Sequence, residues 1–569
     1  MKKGIVNRVW LFCALSFICQ VMCAEDKVSI CNYLDTASSG ISRYWALYNA
    51  HIEALKSGKS VDYKHVKRID IEIPADAKTI PLTSDTDFKN IKLTILNNKK
   101  NGFFLFDMIN QDTTLSIKKE DVDIGDFSYY PKLRNALVLL NLEDETPWVK
   151  NRKGYKYGHV RKDILLINRG KAINKPSFEY NTEETKVIAK YCYVSPEKKC
   201  IRNLKMYRSV GCSAKTYMLN MIGQYNVDLE NIEIHTPPDD KLFDYAIITI
   251  SDCCNITLRD VWIDGTYSSK DHSGYGISMN NVYDSKFYKL RGHANWGIFG
   301  NNNINKAYLK DCDINRFDIH CYGSDIKFDD CKFRDLYNQL QSISDSVVFN
   351  GCEFFQSAPY LVGGSYNAYT KCNVVFRNCI VHPSKKWHNL IQANALKGVT
   401  TNERKELSKQ QYPNLYIDGL TIDLRDYEGK YCLYSVYRDR IQLPSSSIPT
   451  TISFKNLKII PESATGRVEE TNLGSMIDYD YTRMIVQYAT IGGGVLTIVL
   501  FPFLFWYNNK KRKESYAEKD TSEYNQMSRR RHCSGDGQYG TPMLNKSGHS
   551  VVVHEPRTIL EAKFGKDKV

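Results

Sequence analysis

One short phrase of alternating apolar residues recurs between residues 225 and 459, and it constrains the fold more than any other feature of the chain. It reads N-V-D-L-E-N-I-E-I at 226–234 and N-I-T-L-R-D-V-W-I at 255–263. Strict alternation of apolar and polar residues is typical of β-strands. A unit that returns every 20–40 residues or so predicts stacked coils that bury their apolar rows against one another. The other six copies occupy 306–314, 325–333, 346–354, 373–381, 414–422 and 451–459.

Each copy contains two short strands joined by a corner of two residues. The second corner residue is always Asn, Asp or Gly, the residue types that tolerate a left-handed backbone. We therefore expect one left-handed residue per coil, aligned in a column along the stack. These residues are Asn231, Asp260, Asp311, Asp330, Gly351, Asn378, Gly419 and Asn456.

The repeat resembles the pectate-lyase-like right-handed parallel β-helix family, in its membrane-anchored bacterial type, over most of residues 30–460. The resemblance implies an all-β, right-handed parallel β-helix solenoid built from three sheets. The chain lacks the calcium-binding aspartate cluster of pectate lyases and the Gly-His-Gly set of polygalacturonases, so no catalytic residue carries over. Ser38 or Ser39 can cap a helix that ends at Gly58, and such an N-terminal capping helix would plug the first coil.

Two apolar segments indicate export and membrane anchoring. Lys2, Lys3 and Arg8 precede a short apolar stretch, as in a signal peptide. Residues 484–507 carry no charge, are long enough to span a bilayer, and are followed by Lys510 and further basic residues that mark the cytoplasmic side. We predict a single-pass membrane protein with an extracytoplasmic (periplasmic or cell-surface) ectodomain. The segments are a signal peptide (1–23), an N-terminal cap with the first coils (24–100), β-helix coils with insertions (101–220), regular repeats (221–460), a linker (461–483), one C-terminal transmembrane helix (484–507) and a cytoplasmic tail (508–569).

The formal charge of +13 does not indicate a nucleic-acid-binding protein. Much of it lies at the termini, since residues 508–569 alone hold 13 basic and 8 acidic side chains. The long middle of the chain is nearly balanced and offers no dense basic face for a phosphate backbone. Nucleic acid is excluded as a partner on this argument, and no protein partner can be named.

Seventeen cysteines in an exported chain suggest disulfides. Four of them, however, occupy a slot that other coils fill with Ile, Val or Leu, which favours buried free thiols. Cys192 and Cys200, or Cys253 with a distant partner, are better candidates for a disulfide. No Cys/His spacing fits zinc, and neither a metal nor another cofactor is predicted. The four interior cysteines are Cys312, Cys331, Cys352 and Cys379.

The segment 271–341 is the richest in residues that can do chemistry. Residues 316–320 alternate as a strand, with Phe317 and Ile319 inward, so Arg316, Asp318 and His320 should project together from the outer face. Neighbouring coils would add further polar and aromatic side chains to a ladder several sugar units long. These are Asp271, His272, Asn280, His293, Asn295, Trp296 and Gln341.

This mixture suits a glycan, because Trp stacks on sugar rings while Asn, Gln and Asp bind hydroxyl groups. Elimination beside a uronate carboxylate needs a base, for which we nominate His320 or His293, and a cation, for which we nominate Arg316. Hydrolysis would need two carboxyl groups, and Asp271 with Asp318 is the candidate pair. The remaining residues, Trp296, Asn295, His272, Gln341 and Asn280, would bind substrate.

Two interpretations stay open at the sequence level. In the first, the chain is a membrane-tethered extracytoplasmic protein that binds a polysaccharide and, as a lyase or hydrolase, cleaves it. In the second, it is a non-catalytic surface or envelope adhesin or scaffold, in which Arg316 and Asp318 form an ordinary salt bridge. A signalling receptor is a third, weaker idea.

Overall fold

The structure is a computed structural model, and it describes most of the chain between residues 27 and 471. All described residues belong to the compact unit Met1–Tyr479. No helix in these ranges is both long and apolar enough to cross a membrane. The predicted signal peptide, transmembrane helix and tail lie outside the described residues and stay predictions. The described ranges are 27–83, 85–144, 161–176, 185–210, 212, 215–236, 246–264, 275–292, 297, 299–362, 371–394, 412–437 and 451–471.

The described elements are mostly short strands. The α-helices are α1 (Cys31–Leu34), α2 (Gly40–Ser57) and α3 (Lys119–Ile124), and single 3-10 turns span Pro131–Leu133 and Glu462–Arg467. The strands are β1 (Lys27–Ser29), β2 (Ser60–Asp62), β3 (Arg68–Ile73), β4 (Ile80–Pro81), β5 (Asp85–Asn98), β6 (Phe103–Ile109), β7 (Thr113–Leu115), β8 (Asn135–Asp144), β9 (Arg161–Asn168), β10 (Lys171–Ala172), β11 (Thr185–Tyr193), β12 (Lys199–Arg208), β13 (Thr216–Ile222), β14 (Tyr225–His235), β15 (Ala246–Asp264) and β16 (Tyr275–Tyr288). They continue as β17 (Arg291–Gly292), β18 (Phe299–Lys310), β19 (Asp313–Ile314), β20 (Asp318–Asp329), β21 (Lys332–Arg334), β22 (Tyr337–Leu340), β23 (Ile343–Asn350), β24 (Glu353–Phe355), β25 (Ala358–Val362), β26 (Lys371–His382), β27 (Asn389–Asn394), β28 (Asn414–Asp423), β29 (Tyr431–Tyr437), β30 (Ile452–Ile460) and β31 (Val468–Thr471).

The predicted parallel β-helix is confirmed by the pairing of successive coils. Strands β3–β6 and β12–β31 pair in parallel, each coil with the next, so that equivalent inward residues stack. Phe328 and Phe349 stack with ring centroids 4.8 Å apart, and Phe349 stacks on Phe376 at 5.0 Å. One interior row runs through Leu229, Leu258, Phe287, Leu309, Phe328, Phe349, Phe376 and Ile417, and it ends at Phe454, which is exposed.

The predicted left-handed column is also present. Its residues have φ between 50° at Asn231 and 86° at Gly419, and they follow one another in register. Three coils were missed by the sequence analysis, in which Asn90, Asn203 and Lys289 take the left-handed slot with φ of 61°, 61° and 54°. Two further columns were not predicted. They comprise Asn226, Asn255, Asp284, Lys306 and Asp325, and then Asp252, Asn281, Asn303 and Tyr322.

The columns divide the outside of the solenoid into three faces. Face A is the outer side of 103–109, 216–222, 246–251, 275–280, 299–302, 318–321 and 337–341. Face B is the outer side of 199–202, 227–230, 256–259, 285–288 and 307–310. Face C is the outer side of 205–208, 233–235, 262–264, 291–292, 313–314, 332–334, 353–355 and 380–382.

Residues 113–193 do not form coils and are one long insertion between the coil strands β6 and β12. Strands β7–β11 make a separate antiparallel sheet in the order β10-β9-β8-β11-β7, with its own apolar core. The other side of this sheet packs on Tyr225, Cys254 and Tyr283, at the corner between faces A and B. The amide N–H of Lys162 donates to Asn303 Oδ1 at 2.8 Å, which fixes the inserted sheet beside face A.

Helix α2 begins after Ser39, whose Oγ accepts the amide N–H of Ser42 at 3.1 Å, and ends at Gly58 with φ 68°. Its buried side chains join the solenoid core beside β3. At the other end, β31 pairs with β29 through Tyr431 and Val468. The solenoid therefore runs to Thr471, and the segment 461–483 is not simply a linker, because its first residues complete the last coil.

The four interior cysteines are free thiols with at most 1% of their surface exposed, and they occupy one slot in consecutive coils. The suggested disulfides at Cys192, Cys200 and Cys253 are not formed. Cys192 packs toward Gly223, Cys200 lies on face B near Glu230, and Cys253 points into the core. Their thiols therefore lie in separate environments.

Candidate ligand-binding face

The segment 316–320, which leads into β20, has the predicted alternation. Phe317 and Ile319 are fully buried in the solenoid core. Arg316, Asp318 and His320 come together on the other side, around one oxygen atom. Asp318 Oδ2 lies 2.5 Å from Arg316 Nη2 and 2.9 Å from His320 Nε2. The hydroxyl of Tyr275, from an earlier coil, donates to the same oxygen at 2.7 Å and lies 3.1 Å from His320 Nε2.

This cluster is covered by two tyrosines, which the sequence did not predict. Gly300 leaves room for the Tyr275 ring, because a Cβ at Gly300 would overlap it. The Tyr337 ring lies 4.6 Å from the guanidinium carbon of Arg316. Arg316 and Asp318 are completely buried, while the His320 side chain remains 21% exposed. Within the cluster, His320 is the side chain that a ligand can reach.

A β-bulge sets the position of His320. Ile319 pairs with Leu340 and Gly323 with Ile343, so β20 has one residue more than the following coil between these points. The preceding coil shows the same shift, since Asn301 pairs with Ile319 and Asn302 with Cys321. Bulges redirect a side chain without changing the rest of the sheet and are frequent beside functional sites. Alternation alone could not locate this extra residue.

Electrostatics keep the Arg316–Asp318 pair charged. Burial raises the pKa of Asp318, but the positive charge of Arg316 and the contacts with His320 and Tyr275 outweigh it and hold the pKa at about 2. Burial by itself would lower the pKa of Arg316, but the negative charge of Asp318 outweighs this effect and raises the pKa above its ordinary value. A buried, ionised carboxylate is poorly suited to protonate a leaving group in hydrolysis. The buried guanidinium is equally unable to contact a substrate carboxylate, so the roles expected for Asp318 and Arg316 need correction.

Gln341 and Asn280 also lie on face A, in different settings. Gln341 is completely buried, and neither polar atom of its amide makes a hydrogen bond within the described residues. Asn280 is partly exposed and pairs in register with Asn302 and Ser251. Asn280 is thus accessible to a ligand on this face, whereas Gln341 is not.

The other predicted site residues lie outside the described residues. They belong to the segments 265–274 and 293–296, which precede the face A strands β16 and β18 in the chain. Their roles as base, carboxyl group or sugar contact stay predictions. These residues are Asp271, His272, His293, Asn295 and Trp296.

A row of polar side chains on face A escaped the sequence analysis. Asp107, Asn220, Thr249 and Ser278 lie in register on four consecutive coils, each partly exposed. Burial raises the pKa of Asp107 to about 6. Alternation in F-L-F-D-M-I would have placed Asp107 outward, but the weak periodicity of the surrounding hundred residues hid its coil.

The comparisons with known proteins give structural likenesses alone. No family model and no curated protein matches the chain. Among solved structures, the tailspike gp61 of Pseudomonas phage phi297 is similar with a TM-score of 0.43 and 10% identity, covering 77% of this chain and 80% of that one. Tailspike gp49 of Pseudomonas phage LKA1 follows at 0.39 and 9%, covering 76% and 78%. The Gp54 tailspike of Acinetobacter baumannii bacteriophage AP22, solved with a capsular saccharide of its host, has 0.38 and 10%, covering 78% and 79%. The parallel β-helix rests on the strand register described above and not on these likenesses.

Proposed function

We propose that the chain binds a polysaccharide along face A. The supporting observation is the row Asp107, Asn220, Thr249 and Ser278, which leads to the Tyr275–His320 cluster. Successive coils lie about 4.8 Å apart, so the row and the cluster extend over roughly 24 Å. Hydroxyl, amide and carboxyl groups repeated at this spacing match a chain molecule that presents hydroxyl groups at regular intervals.

The inserted sheet borders face A along one edge and supports an elongated ligand. It packs there through Lys162 and the apolar contacts with Tyr225 and Tyr283. A polymer running along the solenoid axis would pass beside this border and over the polar row.

Charge favours a neutral polysaccharide over a uronate polymer. The cation nominated for a uronate carboxylate, Arg316, is neutralised by Asp318 and fully buried. The described row contains a carboxyl group, Asp107, and no Lys or Arg. An anionic polymer would therefore meet little attraction along the described part of face A.

Binding fits the geometry better than cleavage does. Elimination requires a cation that contacts the developing charge, and hydrolysis requires two reachable carboxyl groups. Arg316 and Asp318 are covered, which leaves His320 as the one group nominated for catalysis that is both described and accessible. We assign His320 a ligand contact, oriented by Asp318 and Tyr275.

A blocking substitution tests this proposal. Replacing Thr249 by Trp would place a large ring in the middle of the row, facing solvent, with little effect on the core. Thr421 is a partly exposed threonine on the outer side of β28, so Thr421→Trp is a matched control away from face A. On a glycan array the full chain in detergent should bind a polysaccharide, and Thr249→Trp should lose roughly tenfold or more in affinity.

Equal binding by Thr249→Trp and Thr421→Trp would contradict the proposal. Chromatography of the bound glycan after incubation would test for cleavage. If products appear and His320→Ala abolishes them, the chain is an enzyme after all and His320 acts in the reaction.

We also propose, on the sequence alone, that residues 484–507 anchor the chain with residues 24–483 on the extracytoplasmic side. Protease treatment of intact cells should then degrade this region and spare the tail. Protection of the region, or release of the full chain by a salt wash, would contradict the anchor.

A further inference from the structure

Face C carries an aromatic ladder that lies away from the polysaccharide site on face A. Tyr207 and His235 stack on adjacent coils, with ring centroids 4.9 Å apart and planes at 22°. Trp262, on the next coil, meets His235 edge to face at 5.0 Å. On the other side, Lys92 Nζ lies 4.3 Å from the centroid of the Tyr207 ring. A cation and three rings thus line up along four coils.

The exposure of Trp262 distinguishes this ladder from aromatic residues that pack in the core. The indole of Trp262 is 43% exposed although it lies in the middle of a sheet. A solenoid has no need of a large ring on its outer side, because its core is filled by the inward residues. A cluster of partly exposed rings with polar neighbours is typical of a binding surface, whereas single exposed apolar residues are common.

A second ring stack on face C, here called the closed stack, has its polar groups paired within the protein. Phe355 and His382 stack at 4.9 Å with planes at 7°, and the Arg334 guanidinium covers Phe355 at 4.8 Å. His382 lies 3.0 Å from Glu353 Oε1 and 3.4 Å from Asp423 Oδ2. Ion pairs therefore occupy the groups of this stack, and it offers a ligand far less than Trp262 does.

The charges around Trp262 indicate which ligand fits. Lys205 Nζ pairs with Glu233 Oε1 at 2.8 Å, and His235 lies between Glu233 and Asp264, at 3.7 and 3.8 Å. Three cationic side chains, Lys92, Lys205 and Arg291, face the carboxylates of Glu233 and Asp264, so the surface carries little net charge and has little attraction for an ion. Arg291 follows Trp262 in register on the next coil. An apolar ring face surrounded by hydrogen-bonding groups matches a neutral pyranose, which has an apolar face and a rim of hydroxyl groups.

We propose that Tyr207, His235 and Trp262 form a second carbohydrate-binding surface, which takes neutral hexose units by stacking on Trp262. The proposal takes its ligand class from the function proposed for face A, but it concerns a different face. Glu233, Asp264 and Arg291 hold the hydroxyl groups around the stacked ring.

The test measures binding of dextran, mannan and polygalacturonate to the full chain in detergent, by calorimetry and by tryptophan fluorescence. We expect a neutral polymer to bind, Trp262→Ala to weaken it roughly tenfold, and Trp262→Phe to retain most of the affinity. Phe355→Ala, in the closed stack on the same face, should bind like the unaltered chain. Thermal unfolding of each variant checks that the fold is intact.

The outcomes separate the two proposals. Loss of affinity in both Trp262→Ala and Thr249→Trp supports both surfaces. If Thr249→Trp loses binding while Trp262→Ala does not, the second surface is wrong and face A stands. An equal loss in Trp262→Ala and Phe355→Ala indicates a general disturbance of face C and also overturns the second surface. If dextran, mannan and polygalacturonate all fail to bind, the second surface is overturned, and face A is judged by the glycan array.

Discussion

Two carboxyl groups on face A have opposite electrostatic fates. Asp107 lies at one end of the polar row, where burial without a nearby cation raises its pKa to about 6. Asp318 lies about five coils away and is more deeply buried. Its pKa is nevertheless held at about 2, because Arg316, His320 and Tyr275 outweigh the burial. Burial disfavours the charged form of a carboxyl group, and nearby cations and hydrogen-bond donors determine whether this effect is offset.

The contrast separates two uses of an acidic residue. Asp318 pairs with Arg316 in its own coil, accepts the hydroxyl of Tyr275 from an earlier coil and orients His320, so its charge contributes to stability and to the position of a neighbour. Asp107 makes no hydrogen bond through its side chain in the described residues and stays partly exposed. Among the residues that the structure describes, it is thus the carboxyl group of face A that a ligand can meet.

The largest effect is expected for Asp318→Ala. It leaves the guanidinium of Arg316 buried without its counter-charge, which typically costs about 3–5 kcal/mol in free energy of unfolding. Chemical denaturation at neutral pH measures this loss. Asp112→Ala removes an exposed pair with Lys190 and should cost less than about 1 kcal/mol. If the two variants are equally stable, the buried Arg316–Asp318 pair does not contribute to the stability of the fold.

Asp107→Asn should make the protein more stable at neutral pH. The pKa of Asp107 in the folded state, about 6, lies above its ordinary value of 3.8, so the folded protein binds this proton more tightly than the unfolded chain. The contribution of Asp107 to the free energy of unfolding therefore declines as the pH rises from about 4 to 6. At pH 7 the buried carboxylate is charged, and its full destabilising effect is present. Asn carries no charge, and we expect a gain of about 2 kcal/mol at pH 7 and none at pH 4. A gain that is the same at both pH values would contradict the burial argument.

Asp318 should give the opposite dependence on pH. Its folded pKa, about 2, lies below 3.8, so its contribution to stability is present above pH 4 and is lost as the pH falls toward 2. The amount is about 2 kcal/mol. Denaturation curves of the unaltered chain and of Asp318→Asn should converge over this range. Curves that stay parallel from pH 5 to 2 would show that Asp318 is not the group that titrates.

A smaller effect is expected for Gly300→Ala, which tests the cover over the cluster. The added methyl group meets the Tyr275 ring, and overpacking of this kind costs about 1–2 kcal/mol. Combining it with Tyr275→Leu should restore part of the loss, because the obstructing ring is gone. Strictly additive losses in the double variant would place the ring elsewhere.

The coils could be predicted because each carries its own signal. Asn231, Asp260 and Asn378 repeat at one slot, and the apolar alternation around them has no other stable arrangement than a stack. The inserted sheet could not be predicted in the same way. Residues 135–144 and 161–168 contain the continuous apolar runs A-L-V-L-L and I-L-L-I, and such runs do not reveal whether a strand pairs in parallel or antiparallel.

The candidate site was predicted in part. Alternation placed Arg316, Asp318 and His320 on one side of a strand. Their cover depends on Tyr275 and Gly300, which come from earlier coils and meet the cluster only after stacking. The bulge at His320 depends equally on the neighbouring coils. Local patterns predict the direction of a side chain, while its exposure is decided by residues far along the chain.

The inserted sheet imposes an order on folding. It leaves the solenoid after β6, yet Asp163 is bound by the side chain of Asn305, 142 positions later in the chain. A nascent chain can therefore complete the inserted sheet early but can seat it only when the coils carrying Asn303 and Asn305 have been stacked. The inserted sheet docks late in folding and then links coils that were until then joined only to their immediate neighbours.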